Sequence, residues 1–404
     1  MTAAGPLPRR ILVLAPNLSV PLATIRLRTP LDALAAADGH TLRYRSFAYA
    51  SPGDLRWAEV VIIQRGAGLA ARRQQQIALR QGKPVIYEID DLLTELPPQM
   101  VQHRHLRRDA ARIAAMVRDA TVVSVSTRPL ADALAALNPR RVVVPNHGHQ
   151  VPGLSPARHD AAARPLATLL VAATDRIALD ALAPALQRVM ERHAGQIEIV
   201  AIAEAASALR AFGLPARTEP LMWRDPFLRL VAGLVNPIGL IPLPPSRFNA
   251  CKSAVKFFDY ALAGVPTVCA RVTPYAEVIA PGRNGELVDD DVGAWESAIE
   301  GLVEEADRRR DLAGAAAHWV RAHASLGHTV QAWRELLADL PAVAATPPRH
   351  PPHLALGMAA VDAALSVRRW LRLVNRWRLA RRKRIAEPNS DGHSGGGYPG
   401  STAG

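Results

Sequence analysis

Residues 244–274, PPSRFNACKSAVKFFDYALAGVPTVCARVTP, read as a loop, a helix, a tight turn and a short strand. Pro244 and Pro245 close the apolar segment GLIPL that precedes them. Asn249 or Ser253 is placed to cap a helix. Ala254, Phe257, Phe258, Ala261 and Leu262 then recur at three- and four-residue spacing, which makes one apolar helix face. Gly264 stops that helix as a left-handed residue, and Pro266 bars its continuation. Thr267–Ala270 is expected as a short buried strand. A strand, a loop, a helix and a second strand in this order form a unit of a parallel α/β sheet.

Lys252, Ser253, Lys256 and Asp259 sit inside this unit. On a helix over 252–263 the two lysines share one side, in the first turns, where free N–H groups and the dipole favour an anion. Asp259 follows Lys256 by one turn. A cationic helix start with a carboxylate beyond it suits a nucleoside diphosphate: the lysines take the phosphate charge and the carboxylate accepts from ribose hydroxyls. The same spacing equally suits a solvated helix face carrying a Lys256–Asp259 ion pair.

The segment FNACKSAVKFFDYALAGVP resembles the donor-site helix of the GT-B glycosyltransferases, the large nucleotide-sugar family called group 1 or family 4. It is most similar to a branch with the pattern F-N-x-x-K-S-x-x-K-x-x-E-Y-x-x-x-G-x-P, with Asp259 in place of the usual Glu. Where many relatives carry a second Glu that contacts the donor sugar, this chain has Cys251. Downstream, TPYAEVIAPGRNGELVDDDVGAWESAIEGL fits the same family through its Pro-Tyr loop and Gly-Arg-Asn-Gly turn. Upstream, IRLRTP, then Gln64-Arg65, then GKPVIYEIDDLL resemble its acceptor domain. The resemblance spans residues 10–335 by order of elements. It implies a donor site of Asn249, Lys252, Ser253, Lys256, Asp259, Tyr260 and Tyr275. Relatives often open the second domain with an Arg and a Lys that hold the diphosphate; here ATDRIALDAL offers Arg176 and no Lys, which puts more weight on Lys252 and Lys256.

The order of elements agrees with that fold. ILVLA (residues 11–15) is a continuous apolar run, as expected of a strand buried on both faces. Further strands are expected at 41–47, 59–64, 85–89, 121–126 and in RVVVP, alternating with helices, which argues a doubly wound parallel sheet. Ligands bind beyond the carboxyl ends of such strands. Those ends carry Asn17, Gln64, Arg65, Asp90, Asp91 and Asn146, and with Arg28 of IRLRTP they are the candidate acceptor-side residues. Asp90 and Asp91 are the candidate catalytic carboxylates. The pattern restarts after a Pro-, Gly- and Ala-rich stretch. The expected organisation is an N-terminal Rossmann-like acceptor domain over 1–150, a linker over 151–165 and a C-terminal Rossmann-like donor domain over 166–340. A Pro-rich linker over 341–353, a basic amphipathic helix over 354–386 and a polar tail over 387–404 follow.

The net charge of +13 is concentrated. Nine Lys or Arg and no acid lie in residues 367–385, and without them the chain carries +4. Val367, Trp370, Leu371, Val374 and Trp377 fall on one helix face, and Arg368, Arg372 and Arg376 on the other. That pattern suits an interfacial helix on an anionic membrane, or a helix packed on the body with solvated arginines. No nucleic-acid motif accompanies the basic run. Cys251 and Cys269 are the two cysteines and read as buried thiols of a reducing compartment. No Cys/His spacing resembles a zinc site, and no signal peptide or membrane-spanning run is visible. The expected location is cytoplasmic, with peripheral attachment to the inner face of the cell membrane.

The expected function is transfer of a sugar from a nucleoside-diphosphate donor to a hydroxyl acceptor of the cell envelope. The resemblance implies retaining chemistry with no metal and no cofactor beyond the nucleotide-sugar co-substrate. The alternatives are a GT-B protein that binds a nucleotide sugar without transferring it, and a GT-B epimerase or phosphorylase.

Overall fold

The computed structural model describes residues 8–341 apart from 19, 99, 101–103 and 173–175. The Pro-rich segment from residue 342, the basic helix expected over 354–386, the tail over 387–404 and the side chain of Arg176 lie outside the described residues. Two six-stranded sheets, each parallel throughout, organise the described residues. The first comprises β1 (Arg10–Ala15), β2 (Thr41–Ser46), β3 (Val60–Gln64), β4 (Val85–Ile89), β5 (Val122–Val125) and β6 (Arg141–Val143), in the order β2-β1-β3-β4-β5-β6. The second comprises β7 (Ala167–Val171), β8 (Ile197–Ile202), β9 (Arg217–Glu219), β10 (Pro237–Ile241), β11 (Thr267–Ala270) and β12 (Glu286–Val288), in the order β12-β11-β10-β7-β8-β9.

The unbroken apolar runs follow from this arrangement. Leu12 and Leu14 of β1 join the core on one face of the first sheet, with Val61, Ile63 and Tyr87. Ile11 and Val13 join the core on the other face, with Ile62 and Ile86. Alternation along each strand therefore meets helices on both sides, and no strand position is free to be polar without cost. The second sheet repeats the scheme, with Leu169 and Val171 in one core and Leu170 in the other. The strand order reverses between β1 and β3 in one sheet and between β7 and β10 in the other. Connections leave those points in opposite directions and open a crevice at the carboxyl ends. The architecture is that of two Rossmann-like sheets, the GT-B arrangement expected from the sequence.

The chain crosses between the sheets twice. Residues 144–149 lead away from β6, and the helix Leu326–Ala338 returns to the first sheet. Trp333 of that helix is wholly buried and donates from Nε1 to the Arg26 carbonyl at 3.2 Å, while Arg334 grips Asp38 through two hydrogen bonds of 2.7 and 3.0 Å. The two crossings touch: the Gly148 N–H donates to the Ala324 carbonyl at 2.9 Å. A Cβ at Gly148 would lie 2.7 Å from both the Leu262 and Val320 side chains, which would have to shift to admit it. Among the described residues no helix is long and apolar enough to cross a membrane.

The unit at 244–274 departs from its expected form in one place. The helix occupies Val255–Leu262, not 252–263, and a separate short helix, Arg247–Ala250, precedes it. Ser246 caps the short helix by accepting from the Asn249 N–H at 3.0 Å, so neither Asn249 nor Ser253 caps anything. The intervening turn is held from the first sheet's side: Thr127 Oγ1 donates to the Cys251 carbonyl at 2.8 Å, and Asn146 Nδ2 donates to Ser253 Oγ at 2.6 Å. Gly264 takes φ +77° at the helix end, as expected of its position.

Candidate functional site

A cavity of about 510 Å³ lies where the carboxyl ends of both sheets meet, within the usual size of ligand sites. Its lining from the first half includes Leu22, Arg65, Asp90, Asp91 and Asn146. The second half contributes Asn249, Lys252, Ser253, Lys256 and Tyr275. Nine of the candidate site residues thus converge there. Asn17 and Arg28 are exposed and do not line it; Arg28 lies over the Tyr44 ring, 5.4 Å from its centroid. Gln64 is buried in the end of β3, and Tyr260 is sealed in the core, where it packs so closely on β10 that a Cβ at Gly239 would lie 2.4 Å from its ring.

The first-half rim is a self-paired charge cluster. Arg65, the residue after β3, has φ 45°, an uncommon conformation for a residue with a side chain. Its guanidinium meets both nearby carboxylates: Nε donates to Asp90, and Nη2 to Asp91 Oδ2 at 2.5 Å. Burial raises the Asp90 carboxyl to about 6 against the pull of Arg65. Burial acts the same way on Asp91, but Lys252 and Arg65 outweigh it and hold that carboxyl below its ordinary value. The two acids are therefore driven apart, with Asp91 firmly ionised and Asp90 able to take a proton near neutral pH.

The second-half rim is cationic. Lys252 reaches across the cavity to Asp91 Oδ1 at 3.2 Å and lies 4.6 Å over the Phe248 ring. Lys256 points into the switch point of the second sheet, where its ammonium donates to the Ala172 carbonyl just beyond β7 at 2.7 Å. Burial, reinforced by Lys252, lowers its pKa to about 8. Among the described residues the ammonium meets a neutral carbonyl rather than a carboxylate. Val255 and Lys256 open the helix with no side-chain cap, which leaves N–H groups at the same spot. Asn249 lines the wall with its amide turned to the Pro244 carbonyl at 2.8 Å.

Asp259 faces elsewhere. Arg224 holds it bidentately, through Nε at 2.8 Å and through Nη2, and the His149 N–H reaches it at 3.5 Å. Arg224 also donates to the His147 carbonyl at 3.2 Å. The carboxylate thus ties the second sheet's helices to the crossing at 144–149 and does not line the cavity.

Two further residues stand behind the site. Arg26 and Glu88 are both wholly buried and joined Nε to Oε1 at 2.7 Å. Arg26 Nη1 also donates to the Val144 carbonyl at 2.5 Å and to Asn146 Oδ1 at 3.0 Å. The sequence carried a signal for Glu88: a carboxylate inside the strand VIYEI, buried at every position, demands a buried partner. It carried none that singled out Arg26 over Arg28, or that linked Arg224 to Asp259.

No family model and no curated protein matches this sequence. Solved structures match it by shape. Sucrose-phosphate synthase from Thermosynechococcus elongatus aligns over 82% of this chain and 100% of its own, at 14% identity and a TM-score of 0.60. HepE from Anabaena, in complex with UDP-glucose, aligns over the same shares at 14% identity and a TM-score of 0.56. S. aureus TarM, in a complex that includes UDP, aligns over 70% of this chain and 55% of its own, at 10% identity and a TM-score of 0.52. At such identities the likeness is one of fold: the chain has the GT-B fold of these glycosyltransferases.

Proposed function

We propose that this protein transfers a sugar from a nucleoside-diphosphate donor to a hydroxyl acceptor held in the same cleft. The observation that carries the reading is the meeting of Lys252, Lys256 and an uncapped helix start on one cavity at the second sheet's switch point. A departing diphosphate gains charge as the glycosidic bond breaks, and preorganised cations and N–H groups stabilise it there. Lys256 is the foremost candidate, because it lines the cavity and, among the described residues, its ammonium rests on a carbonyl rather than a carboxylate. Across the cavity, Asp90 would receive the acceptor hydroxyl's proton, with its carboxylate held by Arg65, which also pairs with Asp91. The presence of UDP or UDP-glucose in two structures of the same fold supports a nucleotide-sugar donor by analogy of fold.

The proposal extends to retaining, metal-independent transfer onto a cell-envelope acceptor, with residues 360–385 on an anionic membrane surface. Incubation with UDP-, GDP- and ADP-sugars and a membrane extract should release nucleoside diphosphate and yield a glycosylated product. Thermal stabilisation by one nucleoside diphosphate of the panel should accompany it. Activity lost in EDTA and restored by magnesium or manganese would remove the metal-independent part. Unchanged vesicle binding after truncation at Leu340 would remove the membrane part.

Two observations favour a second reading, binding without transfer. Asp259, the ribose candidate, is closed off by Arg224, and Cys251 is buried where relatives carry a sugar-contacting Glu. Nucleotide-sugar binding with no product from any acceptor preparation would select that reading.

A further inference from the structure

The hydrogen-bond directions behind the cavity assign a role that spans the two halves. Arg26 has donors and no acceptor, so the Asn146 amide atom facing it at 3.0 Å must be the oxygen. Arg26 is held in place by Glu88 at Nε and by the Val144 carbonyl at the same Nη1 that meets Asn146, and its side chain is wholly buried. The Asn146 nitrogen therefore faces Ser253 Oγ, at 2.6 Å, and donates to it. A hydroxyl that accepts from Asn146 cannot also donate to it. Its own hydrogen is left for an acceptor other than Asn146, and Ser253 lines the cavity beside Lys252 and Lys256.

We propose that Arg26 and Asn146 are positioning residues that fix Ser253 as a hydrogen-bond donor to the diphosphate of the bound nucleotide. The inference rests on the nucleotide-sugar reading above and goes beyond it. Ser253 belongs to the second half and Asn146 to the first, so the donor is oriented only while the two halves are together. The nucleotide's own contacts would then favour the closed cleft, since only that arrangement offers it the third donor beside the two lysines. The device needs a buried cation with a buried counter-ion behind it, which gives the otherwise costly Arg26–Glu88 pair a use in the site.

Calorimetric titration of the full chain with UDP, GDP and ADP tests this. For the nucleoside diphosphate that binds, Ser253→Ala should weaken affinity about tenfold, as for one hydrogen bond to a charged group, and Ser253→Thr should stay within about threefold of wild type. Asn146→Asp keeps the oxygen that Arg26 needs but draws the Ser253 proton back to itself. Its added charge repels a diphosphate in any background, so the informative quantity is the difference between backgrounds. The loss from Asn146→Asp should be about fivefold or more larger with Ser253 present than in the Ser253→Ala protein. A merely structural role for Asn146 predicts the same loss in both backgrounds, and that result overturns the proposal. Wild type that binds while Ser253→Ala matches it leaves the nucleotide reading standing and removes this inference. Wild type that binds none of the three nucleotides overturns both.

Discussion

The two rims of the cleft carry their charges differently. On the first-half rim, Arg65 is shared between Asp90 and Asp91, so the rim settles its own charge and keeps a small negative excess. On the second-half rim, Lys256 rests on a carbonyl and Lys252 finds a carboxylate only by crossing the cavity. One rim is electrostatically closed and the other is open to an anion. The contrast also separates stability from binding. Charges that settle among themselves matter for folding, and charges left with neutral or distant partners matter for ligands.

The sharpest break of this comparison lies behind the first rim. Arg26→Met leaves Glu88 wholly buried without a counter-ion and should cost about 3–5 kcal/mol of stability, seen in thermal or denaturant unfolding. Replacing both members, as Arg26→Met with Glu88→Leu, should recover most of that loss while still disturbing Asn146. A single variant as stable as wild type would show that the pair is not the closed, structural charge described.

How much of this was legible in the sequence differs between the rims in the same way. The sheets were legible, because strands buried on two faces leave unbroken apolar runs such as ILVLA and VVIIQ. The ends of those runs located Arg65, Asp90, Asp91 and Asn146, and the helix signature located Lys252, Ser253 and Lys256. What escaped were partnerships across long separations. Nothing in the spacing joins Arg224 to Asp259 or Arg26 to Glu88, because those pairs are set by the packing of one element on another. The helix start was misplaced for a related reason. Propensity allows a helix from Lys252, but Thr127 and Asn146 hold the turn at Cys251 and Ser253 from the far side of the cleft.

A middle-sized effect is expected on the open rim. Lys256→Ala should weaken nucleoside diphosphate binding by about 1.5–3 kcal/mol, as for a charge-assisted contact, with little change in unfolding temperature. The pH dependence gives an independent check. With its pKa lowered to about 8 by burial, Lys256 is charged below that pH and neutral above it in the free protein. Binding a diphosphate requires the charged form, so affinity should fall as pH rises through about 8, with proton uptake on binding in that range. The fall should vanish in Lys256→Ala. A pH-independent affinity up to pH 9 would place the lysine outside the ligand's reach.

The smallest effect is the most discriminating, because it concerns an ion pair that crosses the cavity from one rim to the other. Lys252 and Asp91 are each partly exposed, with side-chain exposures of 30% and 21%, so their attraction is screened and worth about 1 kcal/mol or less. Asp91→Asn removes the charge that draws Lys252 across the cavity. Arg65 keeps Asp90, so the first rim remains paired. Lys252 is then free to meet a diphosphate, and one negative charge no longer opposes that ligand. Both changes act in the same direction, and nucleoside diphosphate affinity should rise about two- to fivefold at low ionic strength. The gain should shrink as salt is added, since screening weakens exposed charges most. Catalysis is expected to move the other way, because Asp91 helps hold Arg65 and hence the neighbouring Asp90. Tighter binding with slower transfer would show that the pair links an anion-binding rim to a proton-handling one. If Asp91→Asn instead weakens nucleotide binding, Asp91 is itself a ligand contact, and the division into a closed rim and an open rim fails.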